Sequence, residues 1–153
     1  MRAMHVVLVH PLIPPNTGSI GRLCAANDVE LVLVEPLGFS LDDRYLKRAG
    51  LDYWPWIRKR VVQDWRPIFA EPGRTWLFTA HAERSYHEVA FGPNDRLVFG
   101  REDTGLGPDV LEAVPPEQHL RIPMPNPNVR SLNLAQCAAI AVYEARRQLG
   151  LLG

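Results

Sequence analysis

The chain alternates short apolar runs with segments whose apolar residues recur every three or four positions. Five short, mostly apolar runs predict buried strands, and they lie at residues 5–9, 30–34, 76–80, 97–99 and 120–122. Residues 57–62 alternate apolar with basic side chains, which is typical of an edge strand. Helical patterns lie between the strands, from about Thr17 and at 44–50, 64–71 and 108–114. This order predicts one α/β domain over residues 1–153, with a mostly parallel sheet flanked by helices.

The C-terminal helix is apolar on nearly every face. Prolines at positions 123, 125 and 127 exclude regular structure before it, because each removes a backbone donor. Ser131 is then expected to be the helix N-cap, and strong helix formers continue to about Leu149. A helix that is apolar all round is buried. Because one core of this size cannot easily enclose it, we predict that the helix also packs on a second subunit, giving a homodimer.

The composition is that of an ordinary globular protein, with 46% hydrophobic and 22% charged residues. No apolar run approaches the roughly 20 residues that a membrane span needs. The N-terminus enters a strand without an evident secretory signal. Cys24 and Cys137 lie far apart in predicted helices, which favours buried thiols in a reducing compartment over a disulfide or a metal site. We therefore expect a cytoplasmic protein without a membrane segment.

The charge balance limits the kind of partner. The formal net charge is zero, which argues against a strongly basic surface as a whole. Of the 17 basic residues, only Lys47 and Lys59 are lysines. Arginine suits phosphate and stacking contacts, so local clusters can bind RNA; genome composition or heat adaptation is the alternative explanation. The five histidines show no ligand spacing, and we expect no bound metal.

Three segments after predicted strands carry residues that could bind a ligand. Residues 16–22 read Asn-Thr-Gly-Ser-Ile-Gly-Arg, where one helical turn separates the first glycine from the arginine. Residues 99–106 read Phe-Gly-Arg-Glu-Asp-Thr-Gly-Leu and leave the end of a strand, where ligands bind in open α/β sheets. Residues 122–124 read Ile-Pro-Met, and a short loop leads from them to Ser-Leu-Asn-Leu-Ala at 131–135. Each segment by itself also fits a purely structural turn.

In this order the three segments resemble the three motifs of the SPOUT-class RNA 2′-O-methyltransferases of the TrmH type. The resemblance covers the chain from end to end and implies S-adenosylmethionine as the cofactor. It also implies that the third motif threads a loop into a C-terminal trefoil knot. Knots are nearly absent among proteins, so this element rests on the resemblance alone.

Two further segments are more specific. Residues 35–39 (Glu-Pro-Leu-Gly-Phe) and 48–53 (Arg-Ala-Gly-Leu-Asp-Tyr) resemble the TrmL branch of that family. The branch methylates the ribose of the wobble nucleotide, a cytidine or modified uridine, in certain leucine tRNAs. The resemblance therefore implies tRNA as the substrate. The alternatives are an rRNA 2′-O-methyltransferase and a non-catalytic RNA-binding protein of the same fold.

The resemblance also implies roles for individual residues. The expected catalytic residues are Asn16, Arg22, Ser131 and Asn133. The expected cofactor contacts come from Phe78, Thr79, Gly100, Glu102, Gly105, Ile122, Met124 and Ser131. RNA contacts are expected from Arg22, Arg44, Lys47, Arg48, Arg130, Tyr143 and Arg147. A large side chain at Gly100 is expected to fill the adenosine pocket and leave the fold intact.

Arg22 has two possible roles. The family assigns the catalytic base to the arginine of the first motif. A guanidinium group, however, keeps its proton up to about pH 12. Either the site makes proton loss easier, or Arg22 stabilises the developing alkoxide and a phosphate. We also hypothesise that each active site takes its cofactor pocket from one subunit and Arg22 from the other.

Overall fold

The computed structural model describes residues 4–50 and 53–153, which form a seven-stranded sheet covered by helices. The strands are β1 (His5–Val9), β2 (Glu30–Val34), β3 (Lys59–Val62), β4 (Thr75–Phe78), β5 (Arg84–Ser85), β6 (Arg96–Phe99) and β7 (His119–Arg121). Six of them lie within two residues of the bounds predicted from the sequence, and β5 is additional. The predicted α/β fold is confirmed.

The strand order places the ends of the first and sixth strands side by side. The order is β3-β2-β1-β6-β4-β7-β5, and all six neighbouring pairs are parallel. Because the strands run in one direction, their carboxyl ends meet at one edge of the sheet. The order reverses at β1, with β2 and β3 on one side and β6 on the other. Ligands of open α/β sheets bind at such a reversal.

Helices cover both faces of the sheet. They are α1 (Pro14–Asn27), α2 (Arg44–Gly50), α3 (Arg66–Phe69), α4 (Pro108–Ala113) and α5 (Leu134–Gln148). Successive side chains of a strand point to opposite faces. Val6 and Leu8 of β1 pack into the cluster that includes α1 and α5. Val7 and Val9 pack into the opposite cluster, which includes residues of α3 and α4.

The start of α1 differs from the prediction. The helix begins at Pro14, three residues before Thr17, and its N-cap residue Ile13 makes no side-chain cap hydrogen bond. Proline is favoured in the first turn because its fixed φ suits a helix and its missing N–H would be unsatisfied there anyway. Thr17, the predicted cap, lies inside the helix and is buried.

The N-cap of α5 also differs from the prediction. The cap is Asn133, whose Oδ1 accepts hydrogen bonds from the backbone N–H groups of Ala135 at 2.9 Å and Gln136 at 3.3 Å. Ser131, the predicted cap, lies two residues earlier in irregular structure and is exposed. Serine and asparagine are equally good caps, so residue type alone could not decide between them.

Within one chain, α5 buries one face and leaves another uncovered. The buried residues are Ala138, Ala141, Val142 and Ala145. Ala139 and Ile140 are half-buried, and Tyr143 is 47% exposed. These three positions form a stripe, because residues three and four apart lie on the same side of a helix. The second subunit that would cover this stripe stays a prediction.

β5 lies in a segment without a clear sequence pattern, and polar side chains hold it in place. Ser85 and Glu88 form a capping box at the turn that follows β5. The guanidinium of Arg84 in β5 donates a hydrogen bond to the backbone carbonyl of Glu117 at 2.7 Å. Such contacts link residues that a local pattern cannot connect.

Three further features of the sequence analysis concern a membrane segment, residues 48–53 and the knot. In the part of the chain that the structure describes, no helix is long and apolar enough to cross a membrane. Leu51 and Asp52, which belong to a segment of the family resemblance, lie outside the described residues. The trefoil knot stays a prediction.

Candidate active site

The three motif segments meet at the carboxyl edge of the sheet. The first follows β1, the second follows β6 and the third follows β7. β6 neighbours β1, and β4 lies between β6 and β7. The parallel sheet therefore brings together three segments that are far apart in the sequence.

Glu102 of the second segment binds the start of α1. Its Oε1 accepts a hydrogen bond from the backbone N–H of Leu12, and its Oε2 accepts one from that of Ile13, both at 2.8 Å. Oε2 also accepts a weaker hydrogen bond, at 3.3 Å, from the side-chain amide of Asn16. A carboxylate is favourable beside a helix N-terminus, where backbone N–H groups lack partners. Glu102 thus fixes the loop between β1 and α1.

Asn16 extends this contact to the third segment. Its Oδ1 accepts a hydrogen bond from Nδ2 of Asn133 at 3.2 Å. Asn133 in turn caps α5 through its Oδ1. Glu102, Asn16 and Asn133 therefore form a continuous chain, which we call the three-loop network. It couples the starts of both helices that cover one face of the sheet.

The loop at residues 100–107 folds back on itself. Arg101 donates its backbone N–H to the carbonyl of Gly105 at 3.2 Å, and Gly105 donates to the carbonyl of Arg101 at 2.9 Å. Gly105 has a φ of 73°, a left-handed conformation that favours glycine. The hydrogen-bonded guanidinium of Arg101 lowers the pKa of the Asp103 carboxyl to about 2. The pair holds the exposed tip of the loop.

Gly100 is required for this fold-back. A Cβ atom there would lie 2.3 Å from the carbonyl carbon of Gly105 and 2.4 Å from the backbone nitrogen of Leu106. Any side chain at Gly100 would therefore force the loop backbone to move, and the expectation that the rest of the fold survives a large residue there stays a prediction. Even alanine meets backbone atoms, so the loop itself must change.

The other expected cofactor residues surround the same edge. Phe78 ends β4, and its ring stacks on that of Phe99 with centroids 4.7 Å apart. Thr79 donates its backbone N–H to the carbonyl of Leu120 at 2.9 Å. Ile122 is partly buried and packs against the core cluster that contains Phe78 and Phe99. Met124 is also half-buried. An apolar surface beside glycine backbone fits the adenosine of S-adenosylmethionine, although the individual contacts stay predictions.

Arg22 does not join the three-loop network in this chain. It is exposed on α1, and its guanidinium carbon lies 4.7 Å from the centroid of the Tyr53 ring. Asn16 lies six residues earlier, which is about 240° around a helix and about 9 Å along it. Arg22 and Asn16 therefore lie on different sides of α1 within one chain.

The predicted RNA-binding residues fall into two groups. Arg44, Lys47 and Arg48 lie on α2 around Tyr45. The guanidinium carbon of Arg44 is 4.7 Å from the centroid of that ring, and that of Arg48 is 5.8 Å away. Lys47 is in an ion pair with Asp42 at 3.4 Å. The structure brings these three cations together on one exposed helix.

The second group lies toward the C-terminus. Tyr143 and Arg147 are exposed on α5, and Arg130 is exposed in the third segment. Arg147 makes a two-pronged contact with Glu144, at 2.8 Å and 3.0 Å. An RNA phosphate would therefore compete with Glu144 for Arg147. The RNA contacts of both groups stay predictions.

The sequence did not predict where α1 begins or which residues the three-loop network connects. Pro14 and Pro15 were the signal that could have placed the start of α1, because proline favours the first helical turn. The bond from Glu102 to Leu12 spans 90 residues, and no local signal predicts it. Asn133 was assigned to catalysis, whereas its observed contacts cap α5 and reach Asn16.

Replacing Glu102 by glutamine should weaken both the fold and the site. Glutamine keeps the shape but offers one acceptor oxygen, so one of the N–H groups of Leu12 and Ile13 loses its partner. We expect stability to fall by about 1–3 kcal/mol. The displaced Asn16 should slow methyl transfer by about 10- to 100-fold. Thermal unfolding and a methylation assay check these effects.

Glu112→Gln is the matched control, because Glu112 is exposed on α4 at the opposite face of the sheet. It should change neither measurement. Equal behaviour of the two variants would show that the charge of Glu102 does not hold the network.

The carboxylates, histidines and cysteines offer neither a metal site nor a reactive thiol in the part of the chain that the structure describes. In residues 4–50 and 53–153, no group of three or more His, Cys, Asp or Glu side chains is placed to hold a metal ion. Cys24 and Cys137 are both free thiols in this structure. Burial raises the pKa of the Cys24 thiol to about 12. Cys24 is therefore a core residue and not a nucleophile.

A parallel α/β sheet whose carboxyl edge joins these three loops is the arrangement that the family resemblance implies. The comparison with known families agrees. A family model described as "SpoU rRNA Methylase family" matches residues 3–143, and the chain belongs to this family. The resemblance seen in the three motifs is confirmed.

Individual relatives are similar along their whole length. A protein of Burkholderia ambifaria named "tRNA (cytidine(34)-2'-O)-methyltransferase" is 48% identical over 153 residues, which cover 97% of each chain. A solved structure described as "Structural insights into the 2-OH methylation of C/U34 on tRNA" is 45% identical, with a TM-score of 0.90 over 97% of each chain.

A more distant structure shows how far the fold extends. An AdoMet-bound rRNA methyltransferase from Sinorhizobium meliloti is 24% identical, with a TM-score of 0.86. The match covers 96% of this chain and 57% of that one. At this identity the likeness concerns the fold alone.

Proposed function

We propose that this protein transfers a methyl group from S-adenosylmethionine to the 2′-hydroxyl of the wobble nucleotide, a cytidine or modified uridine, in leucine-type tRNA. The observation that carries the proposal is the three-loop network. It joins the three motif loops at the edge of the sheet where α/β proteins bind ligands. The names of the similar proteins support tRNA, and specifically position 34, as the target.

The proposed chemistry depends mainly on positioning. S-adenosylmethionine supplies an activated methyl group when it is bound, so the protein has to orient the ribose hydroxyl in line with it. Gly100 lets the loop fold back on itself, Gly105 leaves open space beside its backbone for the cofactor, and Phe78, Ile122 and Met124 offer apolar contacts. Asn16, Ser131 and Asn133 would orient the ribose. Glu102 holds Asn16 in place, and its own cofactor contact stays a prediction.

Arg22 supplies the positive charge in this proposal. A guanidinium is a poor base because it keeps its proton up to about pH 12. It is well suited to stabilise the alkoxide that develops on the hydroxyl and to bind a neighbouring phosphate. We therefore assign Arg22 to charge stabilisation and substrate binding. The oxygen–carbon bond forms as the sulfur–carbon bond breaks, S-adenosylhomocysteine leaves with the electron pair, and the hydroxyl proton passes to solvent water.

The proposed assembly is a homodimer that acts in the cytoplasm. The uncovered stripe on α5, formed by Ala139, Ile140 and Tyr143, supports it. A twofold interface places the same stripe of both copies in contact. Sedimentation of the purified protein tests the dimer directly.

Mapping of the methylated nucleotides tests the function. Purified protein is incubated with S-adenosylmethionine and either total tRNA or rRNA, and methylated riboses are located by mass spectrometry of nuclease fragments. We expect methylation at the first anticodon position of leucine tRNAs. Methylation of rRNA alone would favour the second candidate, which the description of the family model supports. Cofactor binding without transfer to either RNA would indicate a non-catalytic binding protein.

Binding of tRNA should weaken steeply with salt, because the bound cations displace counterions from phosphates. The candidates are Arg44, Lys47, Arg48, Arg130 and Arg147. Replacing one of them by alanine should reduce the slope of log affinity against log salt by about 1 for each lost phosphate contact. Titrations at several salt concentrations measure that slope.

Arg66→Ala is the control, because Arg66 is exposed on α3 and lies at the opposite face of the sheet from α1 and α5. It should leave the slope unchanged. If all five candidate variants also keep the wild-type slope, the RNA surface lies elsewhere.

A further inference from the structure

The turn at Trp54–Trp56 presents a tryptophan to solvent on a fixed backbone. Trp56 is 77% exposed, whereas Ile57 beside it is 5% exposed. Trp56 donates its backbone N–H to the carbonyl of Tyr53 at 2.9 Å, and Ile57 donates to that of Trp54 at 3.3 Å. The turn is thus anchored by its neighbours: Trp54 packs partly buried against the core, while Trp56 stays outside it.

The anchor of this turn is α1, at the position next to Arg22. A Cβ atom at Gly21 would lie 2.8 Å from Cδ1 of Ile57 and 3.6 Å from the ring of Trp54. The helix and the turn are therefore in close contact at Gly21. Trp56 has a fixed position relative to the residue to which we assign charge stabilisation.

Cations lie against the neighbouring rings. The guanidinium carbon of Arg22 is 4.7 Å from the ring centroid of Tyr53, and Nζ of Lys59 is 4.9 Å from that of Trp54. We call Tyr53, Trp54 and Trp56, with these two cations, the aromatic platform. Such cation–π pairs hold positive charge against the Tyr53 and Trp54 rings, close in the chain to the exposed Trp56.

This combination suits one class of ligand. Unpaired bases of RNA stack on aromatic rings and guanidinium planes, while their phosphates attract nearby cations. An apolar protein partner could also cover Trp56. It would not explain, however, why the cations Arg22 and Lys59 lie against the neighbouring rings. The wobble nucleotide of the proposed substrate lies in a single-stranded loop, so its neighbours include unpaired bases.

We propose that the aromatic platform stacks an unpaired base of the RNA loop beside the nucleotide that is methylated, with Trp56 as the stacking surface. The proposal rests on the proposed function, because it takes the substrate to be a single-stranded RNA loop. Stacking recognises any base, so the platform positions the loop and does not select its sequence.

Binding of two model RNAs tests the platform. One is a short hairpin with an unpaired loop, and the other is a blunt duplex of the same length. Trp56→Ala should weaken hairpin binding by about 5- to 100-fold, the range expected for the loss of one stacked base. Its affinity for the duplex should stay unchanged. Trp56→Phe keeps a ring and should bind the hairpin within about threefold of wild type.

Fluorescence provides a second, direct signature. A stacked base should quench the emission of Trp56, so hairpin binding should quench the wild-type protein and quench Trp56→Phe much less. Val61→Ala removes another exposed apolar side chain from the adjacent strand β3 and serves as the control. It should match wild type in affinity and quenching.

Three results would overturn the proposal. The first is wild-type hairpin affinity in Trp56→Ala. The second is an equal loss of duplex binding, which would indicate a general defect. The third is a Trp56→Ala protein that is a monomer although the wild-type protein is a dimer. Trp56 would then be part of a protein interface. These experiments measure RNA binding and not methyl transfer. A failure to methylate tRNA would therefore count against the proposed function, but it would not change the result for the aromatic platform.

Discussion

Gly100→Ala is expected to abolish binding of S-adenosylmethionine. The added Cβ would lie 2.3 Å from the carbonyl carbon of Gly105, 2.6 Å from its oxygen and 2.4 Å from the nitrogen of Leu106. These are backbone atoms, which cannot move aside as a flexible side chain can. The loop must open, and its two hydrogen bonds between Arg101 and Gly105 must break or distort. Because the loop is the expected cofactor cradle, affinity should fall by at least about 100-fold.

Calorimetric titration with the cofactor measures this loss, and circular dichroism shows whether the sheet survives. Gly107→Ala is the matched control in the same loop. A Cβ at Gly107 would meet only Oδ1 of Asp109, at 2.9 Å, which is the end of a side chain that can turn away. It should bind the cofactor with nearly wild-type affinity. Wild-type affinity in Gly100→Ala as well would remove the loop from the cofactor pocket.

The sheet could be predicted from the sequence because its information is local. Each central strand is a continuous apolar run, and a strand covered on both faces needs such a run. β1 and β2 were predicted with the same bounds that the structure has. The motif loops could also be placed, since a parallel sheet puts every strand end on one edge. The family resemblance then predicted which of these loops hold the cofactor and the ribose.

The connections within the site could not be predicted in this way. Glu102 binds backbone atoms 89 and 90 residues away, so its partners are set by the tertiary fold. The direction of Arg22 depends on how the turn at Trp54–Trp56 packs against α1. A helical pattern gives the face on which Arg22 lies but not the ring that it meets. Tertiary packing therefore sets the partners of Glu102 and the direction of Arg22, the two features on which the proposed mechanism depends most.

The direction of Arg22 leads to the second large effect, which concerns the dimer. Within one chain, Asn16, Glu102 and Asn133 form the three-loop network, while Arg22 lies against Tyr53. α1, which carries Arg22, also contacts α5, whose apolar stripe is uncovered. A twofold contact along these helices would bring Arg22 of one copy toward the loops of the other. We therefore predict that each active site combines the cofactor pocket of one subunit with Arg22 of its partner.

Mixed dimers of two inactive variants test this prediction. Arg22→Ala lacks the charge, and Gly100→Ala lacks the cofactor pocket, so each homodimer should be inactive. The two chains are expressed together with different affinity tags, and two successive purifications isolate the dimers that contain one of each. Sedimentation confirms that these are dimers, and separately tagged wild-type chains treated identically define full activity.

The two arrangements of the site give opposite results. If sites are shared, the Arg22→Ala chain contributes an intact pocket and the Gly100→Ala chain contributes an intact Arg22, so one of the two sites is complete. Methylation of tRNA should then return to about half of the wild-type rate. If each site lies within one chain, both sites carry a lesion, and the mixed dimer stays as inactive as its parents. Cofactor binding should be half-stoichiometric in either case, because it requires only the pocket. A mixed dimer that binds cofactor at half stoichiometry but does not methylate tRNA would therefore place Arg22 in the site of its own chain.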